Sequence, residues 1–312
     1  CIPTGYFGKL LCLSIFLSTF ILQLSAQTTK GRAYGLIYSS SLKGGHTAFG
    51  NTNMAIYKSD NTTIDVAKMD SFKVIANGQT SPYTNNSTNM RFVDIDGVAS
   101  TTNSSTADLV LPSGTNTIKF ARIYWGARVS VGQSGAGNIN IRKVKIRKGT
   151  SGTYDSVLAP ITQVDKLLAE GTDSAYTCYA DITSYIQTKG TGTYGIANIV
   201  GQVGSSTQGF FAGWTIVVVY ENTTQPYSSV RVYDGFQDVG GSNGTSFTTT
   251  LTGFNAPSTP LAASDAYMTA MAWEGDAVPI SSSVSDYLQV NGNTVTDALN
   301  PGNNFWNSTI AN

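Results

Sequence analysis

Two aspartates at alternating positions have the spacing best suited to metal binding in this sequence. Asp94 and Asp96 lie in the segment Asn89–Asp96, where the residue types alternate as in a β-strand. Residues i and i+2 of a strand project from the same face about 6.6 Å apart, so both carboxylates would point to one place. Calcium prefers hard oxygen ligands of this kind. The sequence therefore offers a calcium site here, and an ordinary turn at Asp96-Gly97 is the alternative.

Tryptophans and carboxylates in the second half of the chain suggest carbohydrate binding or cleavage. Glycoside hydrolysis needs two carboxylates that flank the sugar, and indole rings offer sugars a flat apolar platform. Trp273-Glu274-Gly275-Asp276 combines both residue types. The candidate ligand face consists of Trp125, Trp273, Glu274 and Asp276, with Trp214 as a further platform and Glu221 as a further carboxylate. In the alternative interpretation, the strand aromatics are core residues and the carboxylates are solvated.

The remaining reactive side chains do not form a catalytic set. His46 is the only histidine, so a Ser-His-Asp triad would have to use it, yet it follows two glycines as in a surface turn. Cys1 and Cys12 lie in the N-terminal segment 1–26, so Cys178 is the one cysteine in the rest of the chain. One histidine and one cysteine are too few for a usual zinc site. Cys178 lies between tyrosines and is expected to pack as a small apolar group. We therefore predict that the chain is not an enzyme.

The start of the chain has the composition of an export signal. Lys9 precedes an apolar run, Leu10–Leu24, and the small residues Ser25 and Ala26 follow it. The run is shorter than the ~20 residues that span a bilayer, and the pattern is typical of a secretory signal peptide. We predict a signal peptide over residues 1–26 and a secreted or cell-surface protein over residues 27–312, without a membrane span.

Composition narrows the fold and the partners. Charged residues make up 12% of the chain and the formal net charge is zero, which gives no electrostatic attraction for nucleic acid. Only Glu170, Glu221 and Glu274 among the 19 acidic residues are glutamates. Glutamate favours helices and aspartate favours turns. Together with 32 glycines and 16 tyrosines, this bias predicts an all-β protein with many turns.

Short β-rich runs separated by Gly, Asn, Ser and Thr predict an antiparallel β-sandwich, jelly-roll or immunoglobulin-like, with one large or two fused sandwiches. The strongest strand, Gly213–Tyr220, is a run of β-branched residues and should lie at the centre of a sheet. Helix is expected only at Ile161–Glu170 and Asp181–Lys189. A Gly/Ser/Thr-rich stretch at 148–155 is the one candidate seam.

Eight segments together resemble a known kind of module in their order and spacing. They are Ala107–Pro112, Ala121–Gly126, Tyr179–Thr183, Gly192–Asn198, Ala212–Glu221, Val232–Phe236, Trp273–Asp276 and Asn304–Ser308. The set is similar to an N-terminal module of large secreted bacterial surface proteins. These proteins are adhesin-like and, in Bacteroidetes, end in a gliding-motility or type IX secretion sorting domain. The resemblance covers roughly residues 88 to 312.

The resemblance implies a non-enzymatic β-sandwich at the cell surface, an adhesin-like or structural module of a larger protein. It implies an extracellular glycan or protein as the ligand, contacts with other domains of the same full-length chain, and no catalytic residues. The alternative from the residues themselves is a carbohydrate-binding module or a polysaccharide hydrolase that uses the tryptophan and carboxylate face.

Overall fold

A computed structural model describes residues 31–58, 60, 62–64, 85–86, 88–130, 140–166, 173–239, 246–253, 266–275 and 286–307. The predicted signal peptide, residues 1–26, and Asp276 of the candidate ligand face lie outside these described residues.

The described residues form fourteen strands and one short helix. In chain order they are β1 (Gly31–Thr52), β2 (Met54–Ile56), β3 (Met90–Phe92), β4 (Ser104–Leu109), β5 (Thr117–Ser130), β6 (Lys143–Lys148), β7 (Asp155–Leu158), β8 (Val164–Lys166), β9 (Asp173–Asp181), α1 (Thr183–Lys189), β10 (Gly192–Ala197), β11 (Ala212–Glu221), β12 (Tyr227–Gln237), β13 (Gln289–Val290) and β14 (Asn293–Thr294).

The larger sheet has six strands in the order β12-β1-β11-β5-β9-β8, and the neighbouring strands pair antiparallel. The β-branched strand β11 lies between β1 and β5. Residues such as Ile216 and Val218 of β11 face the main core, whereas Val219 faces the other side of the sheet. The prediction of a central strand at Gly213–Tyr220 is confirmed. A strand that is covered on both faces needs apolar residues at even-numbered and odd-numbered positions alike.

A second sheet, in the order β4-β10-β6-β7, packs against the first. One hydrophobic cluster joins both sheets. It contains Leu109, Ile146 and Ile196 from the smaller sheet and Ile123 and Ile216 from the larger one. Two antiparallel sheets around a shared core form a β-sandwich, so the predicted all-β fold class is confirmed.

Strand β1 is 22 residues long and serves two partners. Its first half, up to Lys43, pairs with β12, and its second half, from Gly44, pairs with β11. Gly44 has φ = +144°, and a Cβ there would clash with the Tyr220 carbonyl oxygen. Only glycine allows the strand to change partner at this point.

The first half of β1 and strand β12 form a ribbon that covers the outer face of the larger sheet. Leu42 and Val230 from the ribbon pack on Phe120 and Val219 from the sheet. These four side chains form a second hydrophobic cluster, separate from the main core. The larger sheet is therefore curled over itself at this end.

The helix predictions were half right. The helix α1 lies within Asp181–Lys189 as expected and ends at Gly190. The helix expected at Ile161–Glu170 is wrong over its described part, because Val164–Lys166 is a strand paired with β9. The apolar residues of this segment have helical spacing, but hydrogen bonding to β9 at the sheet edge makes the segment a strand. Tertiary contacts therefore override the local helix preference here.

The candidate seam at residues 148–155 connects β6 to β7, which pair directly with each other in the smaller sheet. Across the described ranges, no helix has both the length and the apolar character of a membrane-spanning segment.

Candidate functional site

Trp125 and Trp214 are core residues. They are 0% and 1% exposed, and each indole N–H has a buried acceptor. Trp125 Nε1 donates to the Ile141 carbonyl oxygen at 2.8 Å, and Trp214 Nε1 donates to Ser105 Oγ at 2.8 Å. No ligand reaches either ring from outside, so the expected ligand face loses these two tryptophans.

Trp214 belongs to a buried polar network between the two sheets. Ser105, which accepts the indole N–H, donates to Asn53 Oδ1. Asn53 Nδ2 donates to Asn103 Oδ1 at 2.8 Å, and Asn103 Nδ2 donates to the Ile199 carbonyl oxygen at 2.7 Å. All four side chains are buried. Each polar group has a partner, as buried polar groups require, so the network is a structural fastening.

Trp273 occupies a slot on the outer face of the larger sheet. The floor of the slot is Gly126 of β5 and Gly213 of β11, which lie opposite each other. A Cβ added at either glycine would lie 3.3 Å from the indole. Phe211 stacks alongside, with ring centroids 6.4 Å apart and planes at 13°. The indole is half-buried. It fits at this position because Gly126 and Gly213 have no side chains that would fill the space.

Glu274 is the second candidate residue at this surface. It is exposed, and its φ of +64° turns the chain sharply after Trp273. Left-handed backbone at a non-glycine residue is uncommon. Trp273 and Glu274 thus remain together at the surface, while Asp276, the intended second carboxylate, lies outside the described residues.

The segment 266–273 crosses the outer face of the sheet and ends in Trp273. His46 of β1 fastens its other end. His46 Nε2 lies 3.2 Å from Thr269 Oγ1, and the rings of His46 and Tyr267 are 5.1 Å apart. Burial lowers the pKa of His46. The sole histidine is therefore a neutral packing contact in this structure.

The two aspartates of the expected calcium site lie close to each other, and hydrogen-bond donors from the protein contact both. Asp94 Oδ1 accepts from Ser104 Oγ at 2.7 Å. Asp96 Oδ1 accepts from the Val98 N–H at 2.8 Å and from Thr101 Oγ1 at 2.9 Å. Its other oxygen, Oδ2, accepts from the Tyr154 hydroxyl.

These donors determine the acidity of Asp96. Burial alone would raise its pKa, but the hydrogen bonds from Tyr154, Val98 and Thr101 outweigh burial and lower it. Within the described part of the chain, no three His, Cys, Asp or Glu side chains come together as a metal site would need. Calcium at Asp94 and Asp96 stays a prediction.

Charged residues converge where the ribbon meets the sheet. Arg32 Nη2 lies 2.8 Å from Asp165 Oδ2 and 2.7 Å from Asp234 Oδ1, and Arg122 Nη1 lies 2.6 Å from Asp234 Oδ2. Both guanidinium groups stack on the Tyr179 ring, at 4.9 and 5.1 Å from its centroid. Two positive and two negative charges balance, so this cluster holds the ribbon to the sheet. We call the four residues Arg32, Arg122, Asp165 and Asp234 the clasp.

The clasp perturbs the groups around it. Burial would lower the pKa of Arg32, but its hydrogen bonds to Asp165 and Asp234 prevail and raise it. Burial, assisted by the charge of Asp234, raises the pKa of Tyr124. Neither group is poised to exchange a proton near neutral pH, so the clasp has the properties of a structural ion-pair network. Its members are 133 and 202 residues apart in sequence, and no local pattern announces it.

Cys178 is buried and inert. It is 0% exposed, its Sγ lies 3.4 Å from the Ile141 carbonyl oxygen, and burial raises the pKa of the thiol well above its usual range. A thiolate nucleophile needs the opposite shift.

An open cleft of about 560 Å³ lies between the edges of the two sheets. Its volume falls within the range of ligand sites. One wall is the second half of β1 and the other is β4, and Asn51 Nδ2 bridges them by donating to the Thr106 carbonyl oxygen at 2.8 Å. The main lining residues are Thr47, Ala48, Gly50, Asn51, Thr106 and Asp108. No sequence pattern predicted this cleft, because none predicted β1.

Comparison of the chain with protein-family models, with curated proteins and with solved structures finds no match in any of the three. The fold, the cleft and the Trp273 slot therefore have to be interpreted from their own geometry.

Proposed function

We propose that this chain is a non-enzymatic, extracellular binding module of the adhesin-like kind, part of a larger secreted bacterial surface protein. The observation that carries the proposal is the cleft between β1 and β4. It is open, lies between the two sheets of the sandwich, and is lined by polar and apolar side chains with Asp108 as the one charge among them. Such a surface offers backbone groups, hydroxyls and one carboxylate to a ligand, which supports a binding role.

The N-terminal sequence supports the extracellular setting. The signal-peptide pattern of residues 1–26 would direct export. Once residues 1–26 are removed, Cys178 is the one cysteine in the sequence, so the exported domain would depend on its core and polar networks for stability and not on a disulfide. The network around Asn53 and the clasp around Asp234 serve that need.

The test is to express the chain with its own N-terminal segment in a bacterium and to recover the exported product. Its N-terminus should be Gln27. The product should then retain specific ligands on arrays of glycans and extracellular matrix proteins without changing them. Failure of export, or polysaccharide turnover that Glu274→Gln abolishes, would contradict the proposal.

A carbohydrate-binding face is the second candidate, and Trp273 supports it. The indole is half-buried in its slot, with the exposed residue Glu274 beside it. A sugar ring could stack on the free part of the indole while its hydroxyls donate to the Glu274 carboxylate. Loss of glycan retention in Trp273→Ala, with protein ligands still retained, would favour this candidate over the cleft.

A further inference from the structure

We propose that the cleft between β1 and β4 binds an extended peptide, which adds a strand to the open edge of β1 and places a basic side chain near Asp108. This inference rests on the proposed function as a binding module and names the class of ligand. Strand addition to an exposed edge is a general mode of peptide recognition, in which main-chain hydrogen bonds give affinity and side-chain pockets give specificity.

The direction of the β1 backbone carries the argument. The Asn222 N–H donates to the Lys43 carbonyl oxygen, and the Asn53 N–H donates to the Ala212 carbonyl oxygen. Residues of an antiparallel pair alternate between bonding their partner and facing away from it. The odd-numbered residues of this half of β1 therefore bond β11, and the even-numbered residues His46, Ala48 and Gly50 direct their N–H and C=O groups to the opposite edge.

No strand covers that edge among the described residues. Strand β12 pairs only with residues up to Lys43, so it ends before the cleft begins. Gly50 is buried although its backbone faces the cleft. Backbone groups that are shielded from bulk water and lack a partner cost free energy, and a bound strand would satisfy them.

The wall formed by β4 contributes the charge. The Asn198 N–H donates to the Asn103 carbonyl oxygen, so the same alternation directs the backbone groups of Thr106 and Asp108 away from β10, and both residues line the cleft. Asn51 already occupies the Thr106 carbonyl oxygen. Asp108 is exposed and is the one charged residue of the lining, so charge complementarity selects lysine or arginine on the peptide.

The lining favours a peptide over a sugar and over a second copy of the chain. None of the lining residues is aromatic, so a sugar ring finds nothing to stack on. From His46 to Gly50 the edge measures about 13 Å, enough for a peptide of four or five residues. A stable dimer needs about 800 Å² from each partner, more than so short an edge supplies.

Natural sheet edges are usually protected by lysine, proline or a covering segment. Residues 47–51, Thr-Ala-Phe-Gly-Asn, contain neither lysine nor proline. The side chains of this edge therefore leave it open to pairing.

The experiment screens the exported chain against an array of acetylated, amidated random hexapeptides and titrates the peptides that bind. Ala48→Pro removes one N–H that faces the cleft, and proline is tolerated at such edge positions. We expect Ala48→Pro to weaken peptide binding at least tenfold. Asp108→Asn should weaken only peptides that contain lysine or arginine.

Ser156→Pro is the matched control. The Ala159 N–H donates to the Arg142 carbonyl oxygen, so Ser156 faces the outer edge of β7, away from the cleft, and this variant should bind as the native chain does. If Ala48→Pro fails to fold, peptides N-methylated at alternate backbone nitrogens provide the same test on the native chain. One of the two N-methylation patterns should abolish binding.

Equal affinity of the native chain and Ala48→Pro, or of plain and N-methylated peptides, would overturn the inference. So would retention of glycans alone, or dimerisation in the absence of peptide. If array ligands are retained but Ala48→Pro has no effect, the cleft inference fails and the binding module stands. If the exported chain retains nothing on any array, the proposed function itself fails.

Discussion

Gly126 and Gly213 face each other across strands β5 and β11, and the indole of Trp273 lies over both. The two glycines leave a flat space on the outer face of the sheet where neighbouring strands carry side chains. The chain after β12 uses this space to dock, since residues 266–273 make no backbone–backbone hydrogen bond with the rest of the described structure. Packing of one aromatic ring therefore replaces strand pairing in this segment.

Gly213→Ala tests this docking. Its Cβ would lie 3.3 Å from the Trp273 ring and 3.2 Å from the Asn51 carbonyl oxygen, so the indole has to move. We expect a loss of about 1–2 kcal/mol in the free energy of unfolding, as for other overpacked sites. Tryptophan fluorescence should shift to the red, because Trp125 and Trp214 stay buried while Trp273 gains water.

Gly35→Ala is the control, because a Cβ at Gly35 meets nothing within 4 Å. In a Trp273→Ala background, Gly213→Ala should cost clearly less, since the two residues are in contact and their effects are coupled. An equal cost in both backgrounds would assign the strain to the backbone of β1 instead.

Asp234→Asn should destabilise the protein by about 3 kcal/mol, because it leaves Arg32 and Arg122 partly buried without their shared carboxylate. The measurement is urea unfolding followed by circular dichroism. Glu221→Gln is the matched control. It breaks an exposed pair with Lys119 at 3.4 Å and should change stability by less than about 1 kcal/mol. Similar losses in both variants would show that the clasp is no stronger than a surface pair.

Asn53→Ala should cost about 2–3 kcal/mol, because it removes one buried amide and leaves Asn103 Oδ1 and the Ser105 hydroxyl short of partners. Thermal unfolding followed by near-UV circular dichroism would also report on Trp214, which shares this network. Asn293→Ala at an exposed hairpin should stay within about 0.5 kcal/mol of the native chain. A neutral Asn53→Ala would mean that water replaces the amide.

Asp96 gives the stability of the protein a defined pH dependence. Its pKa in the folded state is lowered, so the folded state favours the carboxylate over the acid. The resulting stabilisation is present above the ordinary aspartate pKa of about 3.9 and is lost as the pH falls through the lower folded-state value. Asp96→Asn should therefore be less stable than the native chain at pH 7, and the difference should shrink towards pH 2. A difference that does not change with pH would contradict this assignment.

The calcium hypothesis for Asp94 and Asp96 makes a separate prediction. A bound ion stabilises the folded state by mass action, so the melting temperature should rise with calcium and fall with a chelator, and Asp96→Asn should blunt the response. An unchanged melting temperature in excess chelator would leave the Ser104, Thr101 and Tyr154 donors as the whole role of these carboxylates.

Sequence patterns predicted the parts of the fold whose causes are local. The β-branched run at Gly213–Tyr220 predicted a buried central strand, and β11 occupies that position in the larger sheet. The helix α1 stops at a glycine, a local signal that was interpreted correctly. Strand β1 has no such signal. It changes its partner from β12 to β11 at Gly44, so its two halves lie in different surroundings and share no single pattern of apolar residues.

The candidate sites were harder to predict because they depend on burial and on distant pairing. Trp125 and Trp273 look alike in sequence, yet one ring is in the core and the other lies on two glycines. That difference is set by which face of β5 turns inward and by a chain segment about 150 residues further on. The cleft is formed by the edges of two different sheets, so no single stretch of sequence contains it.

The partner exchange in β1 also affects the timing of folding. Arg32 cannot form its ion pair until Asp234, 202 residues further along the chain, has been synthesised. A ribosome that adds about 5–20 residues per second needs roughly 10 to 40 s to make that stretch. Among the described strands, β1 is thus the first to be synthesised and one of the last to be completed. During this interval its backbone is available to any extended segment that reaches it first, so the strand that we propose pairs with a foreign peptide in the finished protein is also the one most exposed to mispairing during synthesis.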